Sequence, residues 1–365
     1  MQWLLIAVSI ILGLLAACAR VTPPPAQSSP EPEASKPVIL KTPTSTVKPT
    51  SPADAYAFEQ NHRLGRGVNL GNALEAPNEG EWGMLLQEEY FKLIKEIGFN
   101  SVRIPIRWSA HAEAEPPFTI DALFFERVDW AVDQALKNEL AAVINIHHYE
   151  EIMENPIWQK DRFLAIWKQI AEHYQNAPES VYFELLNEPY GTLANTSWND
   201  LATEAIAIIR QSNPRRTVIV GPGNWNGIDM LSILFLPVED RNLIVTVHYY
   251  LPFQFTHQGA EWVDGSDPWL GTTWGESQAQ KHLIDNDLDK ASKWSAQQGR
   301  PIFLGEFGAY SKADMFSRQR WTAYVARAAE QRGFSWAYWE FGAVFGVYDR
   351  EAQAWVEPIR QALLP

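Results

Sequence analysis

A single cysteine, Cys18, stands in 365 residues. No disulfide can therefore brace the folded part of the chain, and no thiolate cluster is available to hold a metal or an iron–sulfur centre. Basic charge is also short: 30 Lys and Arg against 44 Asp and Glu leave a net charge of -14. A surface with that balance has little to offer phosphate backbones, so nucleic acid is not an expected partner. Long apolar runs are confined to the first 18 residues, MQWLLIAVSIILGLLAAC. That run is short for a membrane span and ends in small residues, which is the pattern of an export signal.

The ending Leu15-Ala16-Ala17-Cys18 resembles a bacterial lipobox, which implies that Cys18 is lipidated and becomes the mature N-terminus. The run lacks the Lys or Arg usual before such a segment, and a plain signal peptide or an anchor helix is the alternative. The protein is thus expected to be exported and held at a membrane only by an N-terminal lipid, or else secreted. Residues 19–52, with VTPPPAQSSPEPEASKP and KTPTSTVKPTSP, are Pro, Thr and Ser with scattered charge. Such a composition buries no core and reads as an extended spacer. Residues 53–365 are then the functional domain, expected to work as a monomer.

Within that domain, eight short apolar runs alternate with amphipathic segments. The runs are RGVNLGN (66–72), SVRIPI (101–106), AAVINIH (141–147), VYFELLNE (181–188), TVIVGP (217–222), LIVTVHYY (243–250), PIFLGEF (301–307) and SWAYWEF (335–341). Between them lie patterns with apolar residues three and four apart, such as EEYFKLIKEIG and FFERVDWAVDQALKN. Strand then helix, eight times, predicts an α/β fold of the (β/α)8 TIM-barrel type, with a doubly wound open sheet as the alternative. In such a barrel the C-terminal strand ends share one face, and that face carries the chemistry. The runs end in Asn72, Arg103, His147, Glu188, the segment around Trp225, His248 with Tyr250, Glu306 and Trp339. A period of two puts Val143, Asn145 and His147 on one face, likewise Thr246, His248 and Tyr250, and likewise Ile302, Leu304 and Glu306. These sets are expected to point into the barrel mouth.

Tryptophan is abundant, with 16 residues. Those in polar loops, in NEGEWG, GNWNG and DPWLGTTWGE, predict flat surfaces presented to a ligand, whereas Trp130, Trp167, Trp294 and Trp321 sit on helical patterns and predict core. Two Glu, Glu188 and Glu306, stand at the tips of the fourth and seventh runs and are expected to face each other across the barrel mouth. Glu184, in phase with Glu188 but deeper, predicts a buried partner for a positive group. His147 and His148 are also possible metal ligands, but no Cys or Asp cluster joins them, so neither metal nor cofactor is expected.

The set SVRIP, INIHHY, LLNEP, VTVHYY, LGEFG and WAYWEF resembles glycoside hydrolase family 5, from about residue 60 to the C-terminus. The segment HYYLPFQFTHQGAEW (248–262) is most similar to a branch of bacterial endoglucanases, some also mannanases. The resemblance implies a retaining endo-β-1,4-glucanase that also takes mannans or glucomannans, a β-1,4-linked polysaccharide as partner, and no cofactor. It implies Glu188 as acid/base, Glu306 as nucleophile, Asn187 at the sugar 2-hydroxyl, and His248 and Tyr250 orienting the carboxylates. Arg103 would keep Glu306 ionised, His147 would bind a sugar hydroxyl and Trp339 would stack under the ring. Asn72, Glu75 and His148 are expected around a sugar subsite, and His257 and Trp262 near the 2-hydroxyl. The alternatives are a mannanase or xyloglucanase as main activity, or a barrel that binds carbohydrate without cleaving it.

Overall fold

The computed structural model describes residues 52–365, and side chains from residue 55 onward. Cys18 and most of the 19–52 spacer lie outside the described residues. Eight parallel strands close a barrel in chain order: β1 (Arg66–Asn69), β2 (Ser101–Ile104), β3 (Ala141–Asn145), β4 (Val181–Glu184), β5 (Val218–Val220), β6 (Leu243–Tyr249), β7 (Ile302–Phe307) and β8 (Ser335–Tyr338), with β8 pairing back onto β1. The chain is a (β/α)8 barrel.

Helices form where apolar spacing and end chemistry agree. Helix Glu88–Ile97 buries Tyr90, Phe91 and Ile94 on one face, begins with Glu88 and Glu89, and stops at Gly98, whose φ of 110° closes the last turn. Helix Gln278–Gln298 starts with a reciprocal cap between Ser277 and Gln280 and ends at Gly299. Helices cover the outside of the barrel, and the strand residues facing them, such as Val102, Ile104, Ile144 and Val245, join one large core. The interior is a separate, smaller layer of Leu64, Ala141, Val143, Tyr182, Ile219, Ile244, Phe303 and Ala337.

That interior layer corrects the alternation expected for β7. Ile302 and Leu304 belong to the outer core and Phe303 points inward, so Glu306 does not share their face. The pleat is interrupted instead: His248 pairs with Glu306 while Val247 pairs with Leu304, leaving Gly305 without an opposite number. A residue slipped into the ladder in this way re-aims the next side chain. Only glycine fits there, because a Cβ on Gly305 would lie 2.4 Å from Thr246 Oγ1.

Two further features have no counterpart in the sequence reading. Helix Pro52–Leu64 closes the bottom of the barrel, where Leu64 enters the interior layer, Gln60 receives the Tyr182 hydroxyl and Asn61 receives that of Ser335. Near the C-terminus Tyr348–Asp349 and Ala354–Trp355 pair antiparallel. Trp274, read as a loop tryptophan offered to ligand, is 1% exposed and part of the core, whereas Trp82, Trp225 and Trp262 are exposed. Among the described residues no helix is long and apolar enough to cross a membrane.

Candidate active site

Arg103, at the end of β2, organises the barrel mouth. It is fully buried and every arm of its guanidinium is used. Nε and Nη2 donate to the two oxygens of Glu184 at 2.6 and 2.8 Å, the fork geometry that suits a carboxylate. Nη1 donates to Glu306 Oε1 and to Asn69 Oδ1, each at 2.8 Å, and Nη2 also reaches Asn187 Oδ1 at 2.7 Å. Glu184 is the buried partner of a cation. Asn69, which the sequence reading passed over for Asn72, is the β1 residue that enters this network; its amide also donates to the carbonyl of Gly305 at 3.0 Å, pinning the bulge. Its signal was its position in the strand, in phase with Gly67, where an apolar side chain would be usual.

The two Glu face different neighbours. Glu306 is 5% exposed, held by Arg103 on one oxygen and by the Tyr250 hydroxyl on the other at 2.9 Å. Glu188 sits just beyond β4 with a φ of 46° and meets His248 Nδ1 at 2.7 Å. Donor atoms of Glu188, His248 and Glu306 all lie within 4.8 Å of one another. A cation would fit that spacing, but the Arg103 guanidinium already supplies the positive charge at Glu306.

Burial governs the protonation of these groups. It pushes Glu188 up to about 7, against the opposing charges of Arg103 and His148. Burial raises Glu306 as well, and the Arg103 contact and the Tyr250 hydrogen bond pull it back. The neighbouring charge of Glu188 acts with burial to raise Glu306, while the salt bridge and the hydroxyl donor favour its ionised form. Burial lowers His248 to about 4 and His147 well below its usual range, so both rings are neutral.

The remaining sequence candidates surround this centre. His147 is buried, with Nδ1 3.1 Å from the Asn145 amide, and its ring lies parallel to that of Trp339 at 6.0 Å. His148 is half-buried with a φ of 48° and meets Trp82 edge-on at 5.3 Å. Glu75 is buried, and its carboxyl accepts from the backbone N–H groups of Asn72 and Ala73, bracing their loop. Asn72 lies half-buried on that loop. His257 is 8% exposed, stacked on Phe253 at 4.1 Å and set edge-on behind Tyr250 at 5.0 Å. Trp262 is exposed and leans on Tyr310 at 5.0 Å. Trp225, also exposed, stacks on Tyr190 with planes 6° apart, and the Tyr190 hydroxyl donates to Glu150. Besides Asn69, two buried residues were not anticipated: Asn226, beside His248, and Glu340, whose carboxyl lies against Gly71 next to the Trp339 ring.

Comparison with known proteins agrees with the barrel fold. The family model described as "Cellulase (glycosyl hydrolase family 5)" matches residues 65–344. Endoglucanase H of Acetivibrio thermocellus is 38% identical over 327 residues, which is 88% of this chain; the chain spans only 35% of that relative's length. Among solved structures, Thermotoga maritima Cel5A in complex with cellobiose superposes with a TM-score of 0.83 at 52% identity, covering 84% of this chain and 99% of that one. The complex of the same enzyme with a mannotriose substrate gives the same values.

Proposed function

The chain belongs to glycosyl hydrolase family 5, and from that membership we propose that it is a retaining endo-β-1,4-glucanase that also cleaves mannans or glucomannans. The observation that carries the reading is the pair of carboxyls with oxygens within 4.8 Å and opposite surroundings. Retaining glycosidases need about 5–5.5 Å between the two groups, whereas inverting enzymes need about 6.5–9.5 Å to admit a water.

Glu306 attacks the anomeric carbon. Arg103 keeps it anionic and Tyr250 fixes the direction of the attacking oxygen. Glu188 gives its proton to the departing glycosidic oxygen, then takes one from the water that releases the glycosyl–enzyme. Asn187, anchored through its Oδ1 by Arg103, is left with its amide N–H groups to donate to the sugar 2-hydroxyl. Trp339 supplies the platform under the ring at the cleavage point. A barrel that only binds carbohydrate would have no need of a buried arginine divided between a structural and a reactive carboxylate.

The mannan part of the reading is supported by the mannotriose complex of a relative at 52% identity. Purified protein assayed on carboxymethylcellulose, glucomannan, mannan and xyloglucan tests it: reducing ends should appear from the first three with a rapid fall in viscosity. Release from xyloglucan alone would transfer the assignment to that polymer, and silence on all four would reject hydrolysis. Surface attachment through a lipid on Cys18 completes the proposal and is carried by residues 1–18 alone. Detergent partitioning of the full chain, lost in Cys18→Ala, is its test.

A further inference from the structure

The loop after β5, GPGNWN at residues 221–226, places three consecutive non-glycine residues at positive φ: Asn224 at 54°, Trp225 at 57° and Asn226 at 54°. Such backbone is costly for residues with a Cβ and persists where the surroundings hold it. Its result is that Asn226 is turned fully inward under the barrel mouth. The approach is so close that a Cβ on Gly221 would lie 2.0 Å from Asn226 Oδ1. The Asn226 amide nitrogen then sits 3.2 Å from His248 Nε2, while His248 Nδ1 lies 2.7 Å from Glu188 Oε1.

A neutral imidazole carries one proton, and the nitrogen that faces an amide NH2 must be the acceptor. We propose that Asn226 is a positioning residue that holds His248 in the Nδ1–H tautomer, so that His248 donates to Glu188 Oε1 and the acidic proton of Glu188 is confined to Oε2. The inference rests on the acid/base role given to Glu188 above. Its consequence is directional. In the opposite tautomer, Nδ1 would be a bare acceptor beside Oε1, and the Glu188 proton would be drawn toward the histidine rather than presented to the departing oxygen. The Oδ1 of Asn226 has no partner of its own, so the contact with Nε2 is the polar work this buried amide does.

The charged and titratable groups around the imidazole are Glu184 at the end of β4 and Glu188 just beyond it, Glu306 from β7, Arg103 from β2 and His147 just beyond β3. Glu306 Oε2 lies 3.6 Å from Nδ1, so a second acceptor also favours a proton on that nitrogen. Burial keeps the ring neutral across the working range, which makes its tautomer, rather than its charge, the variable that a neighbour can set.

The test is the ring-nitrogen spectrum of His248 in the full-length protein labelled with 15N-histidine, with the resonance assigned by loss in His248→Gln. The expected pattern is a protonated Nδ1 and a bare Nε2. In Asn226→Asp the facing oxygens accept, so the pattern should reverse to Nε2–H. With the Nδ1–H donor lost from Glu188, the basic limb of kcat/KM should move to higher pH. Polysaccharide kcat/KM should fall about 10- to 100-fold, within the range of general acid catalysis. An aryl cellobioside with a good leaving group should lose less than about threefold, because it needs little protonation. A protonated Nε2 in the unaltered protein would overturn the proposal, and so would equal losses on both substrates with an unmoved pH limb. If Asn226→Asp fails to fold, Asn226→Ala takes its place: with the Nε2 donor removed the Nδ1–H pattern should weaken, and an unchanged His248 spectrum would overturn the proposal. Failure of the hydrolase reading would show separately, as an unaltered protein without activity whatever its histidine tautomer.

Discussion

Replacing Arg103 by Met separates what this side chain does for the fold from what it does for the site. The substitution keeps most of the side-chain volume and removes all five hydrogen bonds to Glu184, Glu306, Asn69 and Asn187. Glu184 is fully buried and its two oxygens are satisfied by Arg103. Stranding one member of a buried ion pair costs about 3–5 kcal/mol, a large share of the roughly 5–15 kcal/mol that stabilises a typical domain. Urea unfolding at neutral pH should therefore show a midpoint far below that of the unaltered protein with an unchanged slope. Adding Glu184→Gln removes the stranded charge and should recover about half or more of the loss, since residues in one network couple strongly. Activity should not return, because Glu306 still lacks its cation. The reasoning is refuted if Arg103→Met costs less than about 1 kcal/mol, or if Glu184→Gln destabilises the Met variant further.

Three other outcomes follow from the same geometry. The acid must be protonated in the free enzyme, and burial holds Glu188 near 7, so kcat/KM should fall as pH rises through about 7; a basic limb above about 9 would remove Glu188 from that role. Glu340 is fully buried, with Oε2 unpartnered, and burial raises it to about 8, helped by the charge of nearby Glu75. A carboxyl raised above its unfolded value stabilises the fold at low pH and loses that contribution as pH climbs toward its folded value, at up to ~1.4 kcal/mol per pH unit. Glu340→Gln should thus match the unaltered protein in thermal unfolding at pH 5 and exceed it at pH 9, and a lower midpoint at pH 9 would contradict this. Gly305→Ala would put a methyl 2.4 Å from Thr246 Oγ1 and 3.1 Å from His248 Nε2. Its kcat/KM should fall by about 100-fold while the barrel stays folded by circular dichroism, and near-normal turnover would refute the bulge as the device that aims Glu306.

The barrel was legible because its strands are buried on both faces and stand out as short apolar runs between amphipathic helices. The strand tips were legible for a related reason: a polar residue at the end of such a run has few structural uses. What stayed hidden depends on contacts distant in sequence. Simple alternation put Glu306 in line with Ile302 and Leu304, and only the pairing of β6 with β7 reveals the extra residue at Gly305. Asn226 lay in a loop of three consecutive left-handed residues; Asn tolerates that backbone singly, but nothing local anticipates the run through Trp225. Helix Pro52–Leu64 follows a Pro-rich stretch and has a mixed, weakly patterned face, so nothing local marked it as the barrel's floor. Trp274 shares its loop's polar composition yet packs into the core beside Tyr324, which shows that loop tryptophans divide by tertiary contact rather than by neighbouring residue type.

The central claim is that Glu306 forms the covalent bond to the sugar while Glu188 manages the proton. A 2-deoxy-2-fluoro cellobioside with a good leaving group forms the glycosyl–enzyme quickly and releases it slowly, so intact mass and peptide sequencing can locate the adduct. One fluorocellobiosyl group should appear on the peptide containing LGEFG, attached at Glu306, and none in Glu306→Gln. An adduct on Glu188, or turnover of the inhibitor with inversion and no adduct, would contradict it.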